Sequence, residues 1–404
     1  MFTDAYWPRV NGVTVSVDTF SLALVKAGHE VMIICSRYPV DSMARVLGSV
    51  PSVRVDPIRA KIKILRIPSH RVFFSKEDRV AKLHKRYWVE REMDAFGPDV
   101  IHINTEFIIA DIGFGYAKKR HVPAVYTFHT IWEDYAVHYF PLIPEFLLRF
   151  TARRLQKVLL KRSDVVIVPT IQVEEMVKTY HVKKEVRRLP TGIDPALFQH
   201  DPETVKQFRS LMEEKYPILR GKRILLFAGR VAKEKNLSFI IQLFPELLAV
   251  HPDLVLVIAG SGPYQDYYIE EAQNCITGKH CVFTGYLERE DLSLAYAISH
   301  IFIMPSLTET QGLVTIEAML SGIPVVAIGA MGTVQVMEGD RGGFMVKNDP
   351  EEFKARVLDL LNDEELYQQK AEDARQYAQR WTIGHITEQL IEIYREAPGY
   401  VRPR

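Results

Sequence analysis

Ile301-Phe302-Ile303-Met304-Pro305-Ser306-Leu307-Thr308-Glu309-Thr310-Gln311-Gly312-Leu313-Val314-Thr315-Ile316-Glu317-Ala318 contains three local patterns in succession. A short apolar run ends at Pro305, a polar stretch follows, and an apolar helical pattern then continues until Ser321-Gly322 and Pro324 stop it. That order predicts strand, loop and helix. In an α/β sheet, ligands sit in the loops at the carboxyl ends of strands. Glu309 falls in the loop, and Glu317 falls inside the helix among residues that should pack. A carboxylate there is costly unless it meets a partner. The Thr310-Gln311-Gly312 start leaves free amide N–H groups at the helix N-terminus, which suit an anion. Two glutamates on a solvated helix face are the alternative. The flanking strand and the Ser321-Gly322-Ile323-Pro324-Val325-Val326 that follows weigh against it.

The same alternation extends in both directions. Glu30–Cys35, Asp99–Ile103, Ala124–Phe128 and Asp164–Val168 are apolar, β-branched runs of strand length. Arg223–Phe227, Leu254–Ala259, His300–Met304 and Pro324–Ile328 repeat the pattern later, with helical stretches such as Thr14–Ala27 between the runs. The predicted fold class is α/β, with two doubly wound parallel sheets. A chain of 404 residues exceeds one ordinary core, so two domains are expected. The join is placed at Leu189-Pro190-Thr191-Gly192-Ile193-Asp194-Pro195, where Pro, Gly and Asp cluster. This gives domains at 1–190 and 191–382 and a closing segment at 383–404. Charge divides at the same place. Residues through 190 carry 30 Lys/Arg against 20 Asp/Glu, and the remainder 21 against 30. A basic half joined to an acidic half suggests that the first half meets an anionic partner.

No apolar run reaches the length of a membrane span, and the start lacks signal-peptide character, so a cytoplasmic protein is expected. Cys35, Cys275 and Cys281 lack metal-ligand spacing and suit a reducing compartment. No nucleic-acid recognition motif is present, and no nucleic-acid partner is expected. Neither a phosphate-loop Lys-Ser/Thr signature nor a Gly-x-Gly-x-x-Gly occurs.

Further motifs fall at strand ends. Ala228-Gly229-Arg230-Val231-Ala232-Lys233-Glu234-Lys235-Asn236 places cations after the strand Arg223–Phe227. Such charge binds a diphosphate and stabilises it as a leaving group, although a solvated basic loop would look the same. Trp7-Pro8-Arg9-Val10-Asn11-Gly12-Val13-Thr14 joins a first strand to a first helix, and Gly12 allows backbone to approach a ligand there. His129 ends the strand Ala124–Phe128, and Ala259-Gly260-Ser261-Gly262-Pro263 and Thr284-Gly285-Tyr286-Leu287 are turns after strands. His102 reads as structural, and Glu106 as an acceptor-side candidate.

Together these segments resemble family 4 of the retaining, nucleotide-sugar-dependent glycosyltransferases, over nearly the whole chain and most closely from Arg223 to Gly343. The resemblance implies the GT-B architecture, two facing doubly wound domains with a cleft between them. It implies that the last helix, Ile383–Tyr394, returns to the first domain. It also implies that the first strand should begin a few residues earlier, so a shortened first strand or a misassigned start is expected at Met1. Carried over residue by residue, Glu309 contacts the donor sugar and Glu317 the donor ribose. The loop amides of Thr310, Gln311, Gly312 and Leu313 face the sugar and diphosphate. Arg230 and Lys235 take the diphosphate charge, whereas Lys233 faces solvent. His129 lies near the donor sugar, the Gly12 loop closes over the donor phosphates, Gly262 lies near the nucleotide, and Tyr286 and Leu287 meet the base by backbone groups.

The Thr3-Asp4-x-Tyr6-x-Pro8-x-x-Asn11-Gly12-Val13 form is particularly like bacterial diacylglycerol glucosyltransferases and certain bacterial mannosyltransferases, and the chain as a whole most resembles the former. By that resemblance the reaction moves glucose from UDP-glucose to a lipid such as diacylglycerol. The rival readings are a GDP-mannose-dependent mannosyltransferase on a lipid or inositol acceptor, and a nucleotide-sugar epimerase.

The stretch Phe146–Arg162 contains no acid, and Arg149, Arg153, Lys157 and Lys161 recur every four residues. They are read as one helix face, with Leu148, Leu155, Val158 and Leu159 elsewhere on the helix. Such a helix can lie on anionic lipid, giving a peripheral protein on the inner face of the membrane. Lys61, Lys63, Arg66, Arg71, Phe73 and Phe74 could extend that surface. An ordinary helix with its apolar face in the core is the alternative.

No Asp-x-Asp occurs, so neither a metal ligand set nor a cofactor is expected. Turnover of a nucleotide-sugar should therefore persist in EDTA. Activity abolished by EDTA and restored by Mg²⁺ or Mn²⁺ would overturn this expectation.

Overall fold

The structure, a computed structural model, describes residues 1–7, 9, 12–39, 58–71, 79–129, 143–309 and 311–400. The chain forms two compact units. Unit 1 takes Met1–Gly192 together with the chain from Ile383 onward, and unit 2 takes Ile193–Thr382.

Unit 1 holds β1 (Phe2–Thr3), β2 (Met32–Ser36), β3 (Lys63–Ile67), the antiparallel pair β4 (Ser69–Arg71) and β5 (Arg79–Ala81), then β6 (Ile101–Ile103), β7 (Ala124–Thr127), β8 (Val165–Val168) and β9 (Glu185–Arg188). Seven of these form one sheet in the order β3-β2-β1-β6-β7-β8-β9, parallel throughout. Both faces are covered, and alternate residues of a strand feed separate cores. Ile34, Tyr126 and Val166 pack on one side, and Ile33, Val125 and Val165 on the other. The closing helix Ile383–Glu396 buries Ile386, Leu390 and Ile393 in the second core, beside Val17, Phe20 and Leu24 of the helix Gly12–Lys26. His102 fastens that helix to the sheet. Its Nδ1 lies 2.6 Å from the Tyr394 hydroxyl and its Nε2 lies 2.6 Å from Thr127 Oγ1, so both ring nitrogens have structural partners.

Unit 2 holds β10 (Arg223–Ala228), β11 (Leu254–Ala259), β12 (Cys281–Gly285), β13 (Ile301–Met304), β14 (Val325–Ile328) and β15 (Gly343–Val346). The order is β12-β11-β10-β13-β14-β15, again all parallel. The strands read from sequence as apolar runs are the inner ones, with ends within about two residues of those expected. The outer strands β3, β9, β12 and β15 were not among them. In β3 and β9, Lys63, Arg66, Glu185, Arg187 and Arg188 interrupt the apolar character, because an edge strand is covered less completely.

The chain enters and leaves unit 2 beside itself. Ile193 pairs in parallel with Thr382, and the Ile193 N–H donates to the Trp381 carbonyl at 2.8 Å. The passage between units therefore falls at Gly192/Ile193 and Thr382/Ile383.

Candidate functional site

In unit 2 the strand order reverses between β10 and β13. Loops leaving two such strands diverge and open a crevice between them. The loop after β10 carries Arg230 and a short turn, Lys233–Lys235. The loop after β13 carries Ser306 to Gly312. Hydrogen bonds tie the two loops together. Asn236 Nδ2 donates to the Pro305 carbonyl at 3.2 Å, and the hydroxyls of Ser306 and Thr308 donate to the Glu234 carbonyl, each at 3.4 Å.

Across this junction Lys235 Nζ donates to Glu309 Oε2 at 2.6 Å, with the side chains only 17% and 16% exposed. Each charge is thereby the partner of the other in a partly desolvated place. Arg230, five residues before Lys235, is exposed and makes no ion pair or hydrogen bond among the described residues. Lys233 is likewise exposed. The Glu309 carbonyl accepts from the Gly332 N–H at 2.7 Å, which fixes the loop backbone. Gly312 caps the helix Leu313–Leu320 in the left-handed region at φ +67, and a Cβ there would stand 2.9 Å from Val336 Cγ2. Only glycine meets both demands. Thr310 lies outside the described residues. Gln311 is partly buried, and Leu313 packs against the unit 2 core.

Glu317 sits one turn into that helix, and the Tyr296 hydroxyl donates to its Oε2 at 3.0 Å. Burial pushes the Glu317 carboxyl up from its ordinary range. The Arg289 charge and the Tyr296 hydrogen bond act against that, and the Glu309 charge adds to it. The partner that a half-buried carboxylate requires is thus Tyr296, which the sequence did not single out.

The remaining unit 2 candidates surround the same strand ends. At Gly262 a Cβ would fall 2.2 Å from the Val231 carbonyl oxygen, and Val231 N–H donates to the Ser261 carbonyl at 3.0 Å. Close packing of the loops after β10 and β11 therefore accounts for this glycine. Tyr286 is 68% exposed just after β12, while Leu287 packs against the core.

In unit 1 the order reverses between β1 and β6. Asp4 follows β1, Asn104 to Glu106 follow β6, and His129 follows β7 with Phe128 between. Thr105 Oγ1 donates to the Asp4 carboxylate. Glu106 is buried and accepts from the Tyr126 hydroxyl at 3.3 Å. His129 Nε2 lies 2.9 Å from Asn104 Oδ1, and burial pushes the ring down from 6.5 to about 4, so it is neutral. Gly12 opens its helix exposed, with nothing within 4 Å of an added Cβ, so packing within the unit does not require glycine there. Val10 and Asn11 lie outside the described residues. The loop before it is braced by groups that the sequence did not mark. The Tyr6 hydroxyl donates to Asp18 at 2.7 Å, Arg59 Nη2 donates to Asp18 at 2.8 Å, and Arg66 donates to the Trp7 carbonyl at 2.7 Å. A cavity of about 620 Å³ borders Met1, Met32 and Ile101, at the amino ends of the strands and away from these loops.

The basic helix, Glu145–Arg162, differs from the expected arrangement. Leu148, Ala152, Gln156, Leu159 and Leu160 face inward. Arg149 pairs with Glu145 at 2.7 Å, and Arg153 donates to the Thr179 carbonyl at 2.9 Å over the Tyr180 ring. Two of the four expected cations are therefore engaged by the protein. Leu155 and Val158 point outward, as do Phe146 at 75% and Phe150 at 55% exposure. Arg154 and Lys161 are exposed on this outer side, and Lys157 is partly so. Arg66 is turned inward and does not extend a surface; Phe73 and Phe74 lie outside the described residues. Among the described residues no helix is long and apolar enough to cross a membrane, and no cluster of three His, Cys, Asp or Glu could hold a metal ion.

The family described as Glycosyl transferases group 1 matches residues 208–381, and that described as Glycosyltransferase Family 4 matches residues 10–197. An alpha-monoglucosyldiacylglycerol synthase of Streptococcus pneumoniae is 33% identical over 81% of this chain and 70% of its own length. A GDP-mannose-dependent alpha-mannosyltransferase of Mycolicibacterium smegmatis is 27% identical over 98% of this chain and 96% of its own. Among solved structures, the Anabaena protein Alr3699/HepE in complex with UDP superposes with a TM-score of 0.72 at 17% identity, covering 96% of this chain and 97% of that one.

The low folded-state value of His129 carries a sign for stability. Between about 4 and 6.5 the unfolded chain binds a proton that the folded chain refuses, so stability falls as pH drops through that window. His129→Asn should flatten this loss relative to the parent protein when unfolding midpoints are compared across the window. Parallel curves for the two proteins would mean that the ring is hydrated.

Proposed function

The chain belongs to the family 4, group 1 glycosyltransferases of GT-B fold, and on that premise we propose that it transfers glucose from UDP-glucose to diacylglycerol with retention of configuration, forming an α-linked glycolipid. The observation that carries this reading is the group of charges on the loops at the unit 2 reversal: the Lys235–Glu309 pair, Arg230, which has no ion-pair partner among the described residues, and the helix N-terminus capped by Gly312. Rupture of the bond between the sugar and the diphosphate leaves charge on the departing oxygens. Arg230, Lys235 and the helix N-terminus supply fixed positive charge for them, in the role a metal ion takes elsewhere. Glu309, held by Lys235, offers a carboxylate oxygen to a hydroxyl of the sugar. Glu317, braced by Tyr296, can accept from the ribose hydroxyls. No metal or cofactor enters this account.

The lipid acceptor draws support from the name of the pneumococcal relative and from the outer face of the helix Glu145–Arg162. Phe146, Leu147, Phe150 and Val158 stand there among Arg154, Lys157 and Lys161, and that mixture suits insertion at an anionic lipid surface. We place the protein at the inner face of the cell membrane, bound peripherally.

Presented with a panel of nucleotide-sugars and diacylglycerol in vesicles, the pure protein should consume UDP-glucose and form a glycolipid. Turnover of GDP-mannose alone would favour the mannosyltransferase reading, and an epimerised sugar formed without acceptor would favour an epimerase. Arg230→Ala and Lys235→Ala should each cost about 10²–10³ in turnover. Glu317→Ala should weaken UDP binding more than Glu309→Ala does, whereas Glu309→Ala should mainly lower transfer. A double Arg230→Ala, Lys235→Ala variant with near-normal turnover would remove the diphosphate assignment.

Vesicle binding should rise with phosphatidylglycerol content and fall with salt. Each cation near the surface contributes about 1 kcal/mol, so replacing Arg154, Lys157 and Lys161 by Ser should weaken binding by about 3 kcal/mol. Phe150→Ser should weaken it further, and UDP-glucose hydrolysis without lipid should remain. Equal sedimentation of parent and variants with vesicles would take the helix out of the membrane assignment.

A further inference from the structure

Asn104 has an arrangement that its packing does not explain. It is 4% exposed, at the end of β6, and its backbone N–H donates to the Phe2 carbonyl at 2.8 Å, which locks it against β1. Its side-chain Oδ1 lies 2.9 Å from His129 Nε2 on the neighbouring strand end. Its Nδ2 is buried with no hydrogen-bond partner among the described residues. An orphaned buried amide costs about 1–3 kcal/mol, and a leucine of similar size would fill the place without that cost. A retained cost of this kind points to a use for the other end of the side chain.

A carboxamide oxygen can only accept, so the ring nitrogen facing Oδ1 must carry the proton. The proton is then fixed on Nε2, and Nδ1 keeps its lone pair. No hydrogen-bond partner meets Nδ1 among the described residues. The ring stands at the carboxyl end of β7, one strand beyond the β1/β6 reversal, where ligands of such sheets collect.

We propose that Asn104 is a positioning residue that holds His129 as its Nε2–H tautomer and so presents Nδ1 as a hydrogen-bond acceptor to a hydroxyl of the substrate. The inference rests on the glycosyl-transfer reading, in which the substrates are rich in hydroxyl groups and the reacting sugar gains positive charge. A neutral acceptor imidazole suits that charge. The opposite tautomer would present a donor, which a hydroxyl oxygen can meet but which does nothing to stabilise the electron-poor sugar.

The decisive measurement combines a spectroscopic and a kinetic readout on the full chain. With ¹⁵N-labelled imidazole, and His129→Asn to assign the signal, His129 of the parent protein should appear as the Nε2–H form. Asn104→Leu should release it to a mixture of tautomers and lower kcat with UDP-glucose about tenfold, the worth of one good hydrogen bond, while UDP affinity stays unchanged. Asn104→Asp keeps an acceptor against Nε2 and should recover the tautomer and most of kcat. An Nδ1–H signal in the parent overturns the proposal without recourse to any variant. An unchanged tautomer and kcat in Asn104→Leu overturns it too, and should that variant fail to fold, loss of the Nε2–H form in Asn104→Asp has the same force. Absence of turnover of any nucleotide-sugar by the parent would instead defeat the glycosyl-transfer reading, while the tautomer would still be read from the spectrum.

Discussion

A parallel strand covered on both faces can show polar groups only at its ends. This constraint shapes both units. Apart from Arg223 at the start of β10, the residues of the inner strands β10, β11, β13 and β14 are buried and face the core rather than a ligand. Polar chemistry is confined to the loops, and the reversal of strand order decides which loops stand apart far enough to hold something. In unit 2 the reversal falls between β10 and β13, the two strands followed by Arg230 with Lys235 and by Glu309 with Gly312. In unit 1 it falls between β1 and β6, followed by Asp4 and by Asn104 to Glu106.

The two units handle their polar groups differently. Unit 2 concentrates charge. Lys235 and Glu309 form an ion pair where water is partly excluded, and removing either would leave the other desolvated without a partner. Glu317 is tolerated inside a helix because Tyr296 reaches it. Unit 1 keeps two buried histidines, His102 and His129, neutral. His102 is saturated by Tyr394 and Thr127, and among the described residues His129 is engaged on one side, by Asn104. The first pattern suits binding and stabilising an anion, and the second suits orienting hydroxyl groups without adding charge.

The helix Glu145–Arg162 shows how a periodic pattern can mislead. Four residues advance a helix by one turn and about 40° more, so cations spaced by four drift about 120° from Arg149 to Lys161. The row therefore begins beside the core, where Arg149 and Arg153 find protein partners, and ends facing outward at Lys161. The inward stripe is Leu148, Ala152, Gln156 and Leu159, and it contains a glutamine whose Oε1 accepts from the buried Tyr180 hydroxyl at 2.8 Å. Phe146, Phe150 and Val158 fall outside because the core takes only the width of that stripe.

The sequence by itself determined the α/β class, the inner strands and the strand-end positions of the candidate groups. Apolar runs of strand length and the glycines and prolines that end them are local signals, and a parallel sheet needs no other information to be recognised. Arg230, Lys235, Glu309 and Glu317 could be named because they follow such runs at short spacing. The tertiary structure decided everything that depends on which strand lies beside which. Lys235 meets Glu309 across 74 positions of sequence because β10 and β13 are neighbours. Tyr296 reaches Glu317, Asn104 reaches His129, and Asp18 gathers Tyr6 and Arg59 by similar juxtapositions. The edge strands β3 and β9 likewise declared themselves only through pairing, since partial exposure lets charge replace the apolar run. Hydrophobic patterning records what each segment must bury, whereas hydrogen bonds and ion pairs depend on distances of about 3 Å that exist only once the sheet order is set.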